Sequence, residues 1–373
     1  MNRSNEEHGV GRVMNRLRTG DWVEVRSKDE ILRTLDKQGR LHGMPFMPQM
    51  FQYCGQRFKV YRRAHKTCDT IAYNWDSPGR KLPEGIHLDL RCDGKAYGGC
   101  QAACLIFWKE AWLKRVDDKE PSTDLYAPTS HAEAAELTGG CTEQDVLAGT
   151  RAPGLQDEND PTYSCQATRL PYYTTTLNWW DLRQYIEDCT SGNIGIGKLL
   201  RGLIYVIYFN LTNAGIGIGG IMRWIYDRFQ ALAGGLPYPR KTGVIPKGQK
   251  TPQTVLNLQP GETVRVKAYD EILATLDTDN RNRGLYFDAE AVPYCGGTYR
   301  VLTRVNRILD EKTGKLIKLK NESIILDEVY CQSRYSECRM FCPRSIYSYW
   351  REGWLERVPN KEGSQFAGDL GSR

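Results

Sequence analysis

The chemistry this chain could do is written first in its cysteines. Twelve Cys occur in 373 residues. Cys54 is followed after 37 residues by Cys92, after seven more by Cys100 and after three more by Cys104. Cys295, Cys331, Cys338 and Cys342 follow in the same order, with gaps of 35, six and three residues. Four converging thiolates form a tetrahedral Zn2+ site with Zn–S near about 2.3 Å, so two Zn2+ per chain are expected. An iron–sulfur cluster also takes four Cys and is the alternative cofactor. Free buried thiols or disulfides stay open as the bland reading. Cys68, Cys141, Cys165 and Cys189 have no partner in the repeat and are unassigned. His65 faces Asn306 in the alignment and His87 faces approximately Ile325. A ligand needed twice would not be lost that way, so both imidazoles are read as surface or half-buried groups.

The quartets sit inside a longer repeat. Residues 20–63 align without a gap on 261–304, an offset of 241, and 18 of the 44 pairs are identical. Asp29-Glu30-Ile31-Leu32 matches Asp270-Glu271-Ile272-Leu273, and Tyr53-Cys54-Gly55 matches Tyr294-Cys295-Gly296. At the far end, Trp108 to Val116 corresponds to Trp350 to Val358. Two modules, 20–116 and 261–358, follow. Each is small enough to be marginal without a staple, which a metal would supply.

Within each module Val23 and Val25, or Val264 and Val266, alternate with polar residues as a half-buried strand does. The Asp-Glu-Ile-Leu string suits one or two helical turns. Gly43 and Gly284 mark a turn, 58–60 and 299–301 a strand, and 86–88 and 324–326 another. Residues 304–309 and 316–319 read as a hairpin turning at 312–314. A short terminal helix is expected, with Trp at i and i+4 on one face. The Gly-Asp/Glu-x-Val-x-Val opening resembles SH3-like small barrels, including KOW-type modules. The expected fold class is α+β: two tandem small β-barrel-like modules, each with a four-Cys site, separated by a linker and a helical insertion.

The remainder divides into a polar tail (1–19), a polar linker (117–177) with a short helix at 131–137, a helical insertion (178–235), a linker (236–260) and a C-terminal tail (359–373). Asn178 is the expected cap of a helix running through Ile186 and stopping before Ser191. Residues 194–229 are the most apolar stretch. Gly215, Gly217 and Gly220 spell G-x-G-x-x-G, but the second strand and acidic residue of a dinucleotide site do not follow. Neither half reaches the ~20 clean residues needed to span a bilayer. A membrane-surface helix pair is one reading; packing against the modules as core is the leading one.

Apolar residues make up 40% and charged residues 26%, which excludes a wholly disordered or collagen-like chain. The net charge is +6, from 51 basic against 45 acidic residues, and permits an acidic partner. Arg57, Lys59, Arg62 and Arg63, and Arg300, Arg304 and Arg307, are the candidates for contact with nucleic acid or an acidic partner. The chain has no Gly-x-Ser-x-Gly, His-Glu-x-x-His or P-loop, so no catalytic residues and no small-molecule substrate are assigned. The first twenty residues are polar and lack the apolar core of a secretory signal. A cytoplasmic home, with reduced thiols, is the expectation.

Cys342-Pro343 is similar to the Cys-Pro that closes ferredoxin ligand runs, whereas Cys104 precedes Leu105. The Asp-Glu-Ile-Leu-x-Thr-Leu-Asp, Tyr-Cys-Gly, Arg91-Cys92-Asp93-Gly94 and Trp-Lys/Arg-Glu-x-Trp-Leu strings together resemble a bacterial family of Cys-rich proteins with one or two such modules, encoded beside polysaccharide or natural-product biosynthesis genes. The resemblance extends to Ser164-Cys165-Gln166-Ala167-Thr168. It implies the domain plan and the eight repeated Cys, and attaches no activity. The functional expectation is a non-enzymatic, zinc-binding interaction protein, accessory to a cytoplasmic biosynthetic assembly, with a protein partner and with membrane contact through 194–229. An iron–sulfur electron donor and a nucleic-acid-binding protein are the alternatives.

Overall fold

The computed structural model describes residues 16–72, 79–116, 140–154, 157–215, 217–336 and 339–358. The expected helix at 131–137, most of both tails and Cys338 lie outside the described residues. The fold is mixed α+β. Among the described residues no sheet closes into a barrel.

Each repeat opens on a strand whose alternate Val residues are fully buried: Val23 and Val25 in Trp22–Val25, Val264 and Val266 in Thr263–Val266. The first strand is central in a three-stranded antiparallel sheet, with Val23 opposite Phe58 on one side and Arg115 on the other. Val264 has the same two neighbours, Tyr299 and Arg357, within a five-stranded sheet. The helices Lys28–Leu32 and Tyr269–Leu273 follow. Ser27 caps the first: its Oγ accepts the Glu30 amide at 3.3 Å while the Glu30 carboxylate accepts the Ser27 amide at 3.0 Å. A two-residue hairpin comes next, with His42 and Gly43 at φ 51° and 80°, and Arg283 and Gly284 at 48° and 82°. Positive φ at both central positions is the type I′ geometry that matches strand twist.

The terminal element is a strand, a 3-10 turn and a strand rather than the expected helix: Trp108–Lys109, Glu110–Trp112 and Leu113–Arg115, repeated as Tyr347–Trp350, Glu352–Trp354 and Leu355–Arg357. The 3-10 turn brings both Trp rings inward. Phe46 meets Trp112 edge-on at 5.2 Å, and Phe287 meets Trp354 at the same 5.2 Å. Trp112 Nε1 donates to Thr34 Oγ1 at 3.0 Å, and Trp354 Nε1 to Thr275 Oγ1 at 2.9 Å.

Two cores result. One gathers around Trp108 and Trp112, the other around Trp350 and Trp354. Polar composition predicts linker through 177, yet Cys141, Val146, Tyr163, Cys165 and Leu170 belong to the first core. The reason is local: a Thr142–Asp145 capping box starts a helix at Glu143–Ala148, and apolar side chains follow at core spacing. The hairpin of strands Thr298–Leu309 and Leu316–Tyr330 forms as expected, with Leu309 opposite Leu316, and its tip reaches into the first core.

The apolar stretch forms helices Ile196–Thr212 and Gly219–Ala233. They are not core. The second has no buried residue, and the first buries only Gly202, Tyr205 and Thr212. The preceding helix begins at Arg183, later than the Asn178 cap implied, and ends at Thr190. Among the described residues no helix is long and apolar enough to cross a membrane.

Candidate metal centre

Cys92, Cys100 and Cys104 are brought together by one tight loop. The Cys92 amide donates to the Cys104 carbonyl at 2.8 Å, closing it. Gly94, Gly98 and Gly99 have positive φ inside it. At Gly94 a side chain is excluded outright, since a Cβ would lie 1.8 Å from the Cys100 carbonyl oxygen. All three line a small cavity of about 40 Å3 together with Cys165, Leu309, Glu311 and Arg344.

The sulfurs are met by N–H groups. Leu309 donates its amide to Cys100 Sγ at 3.3 Å, and Gln49 Nε2 donates to Cys92 Sγ at 3.1 Å. The Gly94 amide reaches Cys92, and the amides of Ala167 and Thr168 reach Cys165. Burial dominates all the same. It pushes Cys92 up to about 12 and Cys165 up to about 11, and holds Cys104 well above an ordinary thiol. Without a cation these groups are neutral, whereas a coordinating cation deprotonates them.

In the second half the Cys331 amide donates to the Ile346 carbonyl at 2.7 Å, four residues beyond Cys342, and Phe341, at the position of Ala103, shares its positive φ. The thiol that joins it is Cys68. Cys342 and Cys331 both lie near enough to Cys68 to interact with its sulfur. Cys342 pulls Cys68 down to about 6, helped by Arg344 and Arg339 against burial. Arg344 is buried; its Nη1 lies 4.0 Å from Cys68 Sγ and donates to Thr70 Oγ1 at 2.8 Å.

Cys54 and Cys295 do not join these groups. Neither lines the cavity, and Cys54 lies by the Lys28–Glu143 ion pair (2.9 Å). Cys295 Sγ donates to the Ala291 carbonyl at 3.9 Å. Their recurrence has a backbone cause. The Gly55 amide donates to the Val25 carbonyl and the Gly296 amide to the Val266 carbonyl, so Tyr-Cys-Gly is the corner that returns the chain to its first strand.

Among the described residues no three Cys, His, Asp or Glu side chains stand at mutual ligating distance. Neutral thiols gain nothing by touching, and a change of χ1 well carries a sulfur about 3 Å. Cys165 and Cys68 escape the repeat logic because the offset of 241 sets Cys68 against Leu309 and gives Cys165 no counterpart. The one sequence signal for Cys165 is its place in the Ser164–Thr168 string.

The basic residues are largely committed elsewhere. Arg63 is buried and pairs with Glu110 and Glu187, and Arg304 pairs with Glu352 at 2.8 Å. Since Glu110 and Glu352 are equivalent, this is one ion pair built twice. Arg57 pairs with Glu24 at 3.3 Å, Lys59 lies over Trp22 and Arg62 over Tyr61. Arg300 and Arg307 are exposed. The imidazoles are buried rather than superficial: His65 Nε2 lies 3.2 Å from Asp188, and His87 Nδ1 lies 2.8 Å from the Ile106 carbonyl.

No protein-family model matches this chain, and no curated protein matches it.

Proposed function

We propose that the chain is a non-enzymatic metal-binding interaction protein, with thiolate-held Zn2+ stabilising two tandem modules. The observation that carries this reading is the cavity shared by Cys92, Cys100 and Cys104, with amide N–H groups directed at its sulfurs. All-thiolate donor sets are those of structural zinc. Metal analysis of protein purified anaerobically tests it. About two zinc per colourless chain is the expected result. A brown protein absorbing near about 400 nm would replace zinc by a cluster, and a metal-free chain would end the reading.

A second observation favours a place at an anionic bilayer surface. Ile204, Ile207, Trp224, Phe229 and Leu232 stand exposed on the two apolar helices, and Trp179 and Trp180 are exposed as well. A cleft of about 1140 Å3 lies between those helices, lined by Tyr205, Ile225 and Phe229 together with Lys198, Arg201 and Arg334. Apolar side chains beside cations match acyl chains beside phosphates. Flotation with phosphatidylglycerol vesicles is the test: the protein should float with them and less with phosphatidylcholine, and Ile207→Asp with Trp224→Asp should abolish it. Equal behaviour of wild type and variant would refute this placement. A role beside a biosynthetic assembly in the cytoplasm rests on the family resemblance alone.

A further inference from the structure

With Cys54 and Cys295 set apart, the metal reading leaves both ligand sets incomplete, and the packing around the two Cys loops points to what extends them. Each half sends an arm across to the other. From the second half, the hairpin tip lies over the first Cys loop: Gln101 donates its amide to the Arg307 carbonyl at 3.1 Å, and the Asn306 amide donates to Gln101 Oε1 at 2.8 Å. Leu309, on that tip, sets its amide on Cys100 Sγ. From the first half, residues 64–70 lie against the second Cys loop. Lys66 Nζ donates to the Met340 carbonyl at 2.8 Å, and Arg344 donates to Thr70. Cys68 and Leu309 each stand five residues past the end of the aligned stretch. The arms are therefore reciprocal, and each lands on the other half's thiols.

We propose that Cys68 is a ligand of the second site, together with Cys331 and Cys342, and that Cys165 completes the first with Cys92, Cys100 and Cys104. Cys54 and Cys295 are ligands of neither. The second site then ties the two halves of the chain together. The first, where the arm carries Leu309 instead of a thiol, draws its fourth sulfur from the segment that follows the first repeat. Cys165 is suited to this, since it lines the same cavity and already receives two backbone amides. Arg344 stands between the sites, lining the cavity of one and approaching Cys68 of the other. A zinc ion held by four thiolates carries a net charge of −2 and one held by three carries −1, so a buried guanidinium between two such anionic centres is electrostatically matched. Binding of Zn2+ displaces the remaining thiol protons to solvent and involves no electron transfer.

This assignment rests on the metal reading above, and one experiment separates the two. Zinc is counted in the full-length wild type and in C54S, C68S, C165S and C295S after reconstitution with Zn2+ under reducing conditions. Wild type, C54S and C295S should hold two equivalents, and C68S and C165S one each. If C54S and C295S lose an ion while C68S and C165S keep both, the ligand assignment is overturned and the metal reading stands. If the wild type binds nothing, the metal reading itself fails. Because C165S could lose its ion by misfolding, Cys165→His is measured with Co2+. Retained binding with a weaker sulfur-to-cobalt charge-transfer band supports ligation. Retained binding with an unchanged spectrum overturns it. A Cys68–Cys342 disulfide, seen as a mass about 2 Da lower in protein purified anaerobically, would remove Cys68 from the second site.

Discussion

The two repeats build the same corner and then part. Through Arg63 and Arg304 they agree in strand register, turn type, Trp–Thr hydrogen bond and Arg–Glu ion pair. Beyond that point the second repeat runs on as strands of 12 and 15 residues. The first breaks into short strands, Arg62–Arg63, Lys66–Thr67, Gly79–Lys81 and Gly85–His87. The difference shows where duplication has been put to use. The shared corner supplies each core, and the divergent stretch supplies the contact with the other half.

Arg344 is where breaking that contact should cost most. It is buried, pairs with Glu311 at 3.4 Å, donates to Thr70 and lies against Phe107. Arg344→Met leaves the Glu311 carboxylate and the thiol loops without their cation. The expected loss is about 3–5 kcal/mol, the usual result of removing one partner of a buried pair. Calorimetry gives the regional readout. A single cooperative transition should split in two as the cores unfold separately. A single transition within about 1 kcal/mol of wild type would show that Arg344 does not couple the halves.

How much of this is legible in the sequence follows from separation along the chain. The corner can be read because its parts are close in the chain and occur twice. The Cys92–Cys104 and Cys331–Cys342 loops can be read because a short span fixes which thiols can meet. Cys54 recurs with the loop thiols yet stands apart from their cavity, because recurrence marks any shared constraint, and Tyr-Cys-Gly is also a backbone turn. Cys68 escapes because its neighbour Cys342 is hundreds of residues away, and no periodicity reports such a contact. The Trp108 and Trp112 spacing fits a helix, yet a 3-10 turn between two strands also buries both rings. In helices Ile196–Thr212 and Gly219–Ala233, apolar composition signals burial correctly as a need, but says nothing of what provides it.

A smaller effect should distinguish the halves by pH. His87 in the first is fully buried, whereas the corresponding position in the second is approximately Ile325, also buried. Burial pulls His87 down to about 3, with the Ile106 carbonyl opposing. The folded value lies below the unfolded one of about 6.5. Between the two the unfolded chain holds a proton that the folded chain does not. Stability is therefore complete above about pH 6.5 and falls as pH drops towards 3, by about 1.4 kcal/mol per unit. His87→Leu should flatten that part of the stability–pH curve. An unchanged slope between about pH 6 and 4 would mean that His87 is not buried as a neutral ring.

The finest comparison uses the Trp–Thr pair that both corners share. Thr34 Oγ1 and Thr275 Oγ1 each donate to a carbonyl, of Ile31 and Ile272, at 2.7 Å, and each accepts a buried indole N–H. Thr34→Val and Thr275→Val keep the shape and strand the indole. Each should lose about 1–3 kcal/mol, the desolvation cost of an unpaired buried donor. The informative quantity is the difference between them, measured by denaturant unfolding with local amide exchange to assign the loss to its half. Equivalent corners require the two losses to agree within about 0.5 kcal/mol. A larger gap would mean that neighbours beyond the corner share its strain in one half, and the segment from Cys141 to Leu170, packed on the first core alone, is then the element to remove next.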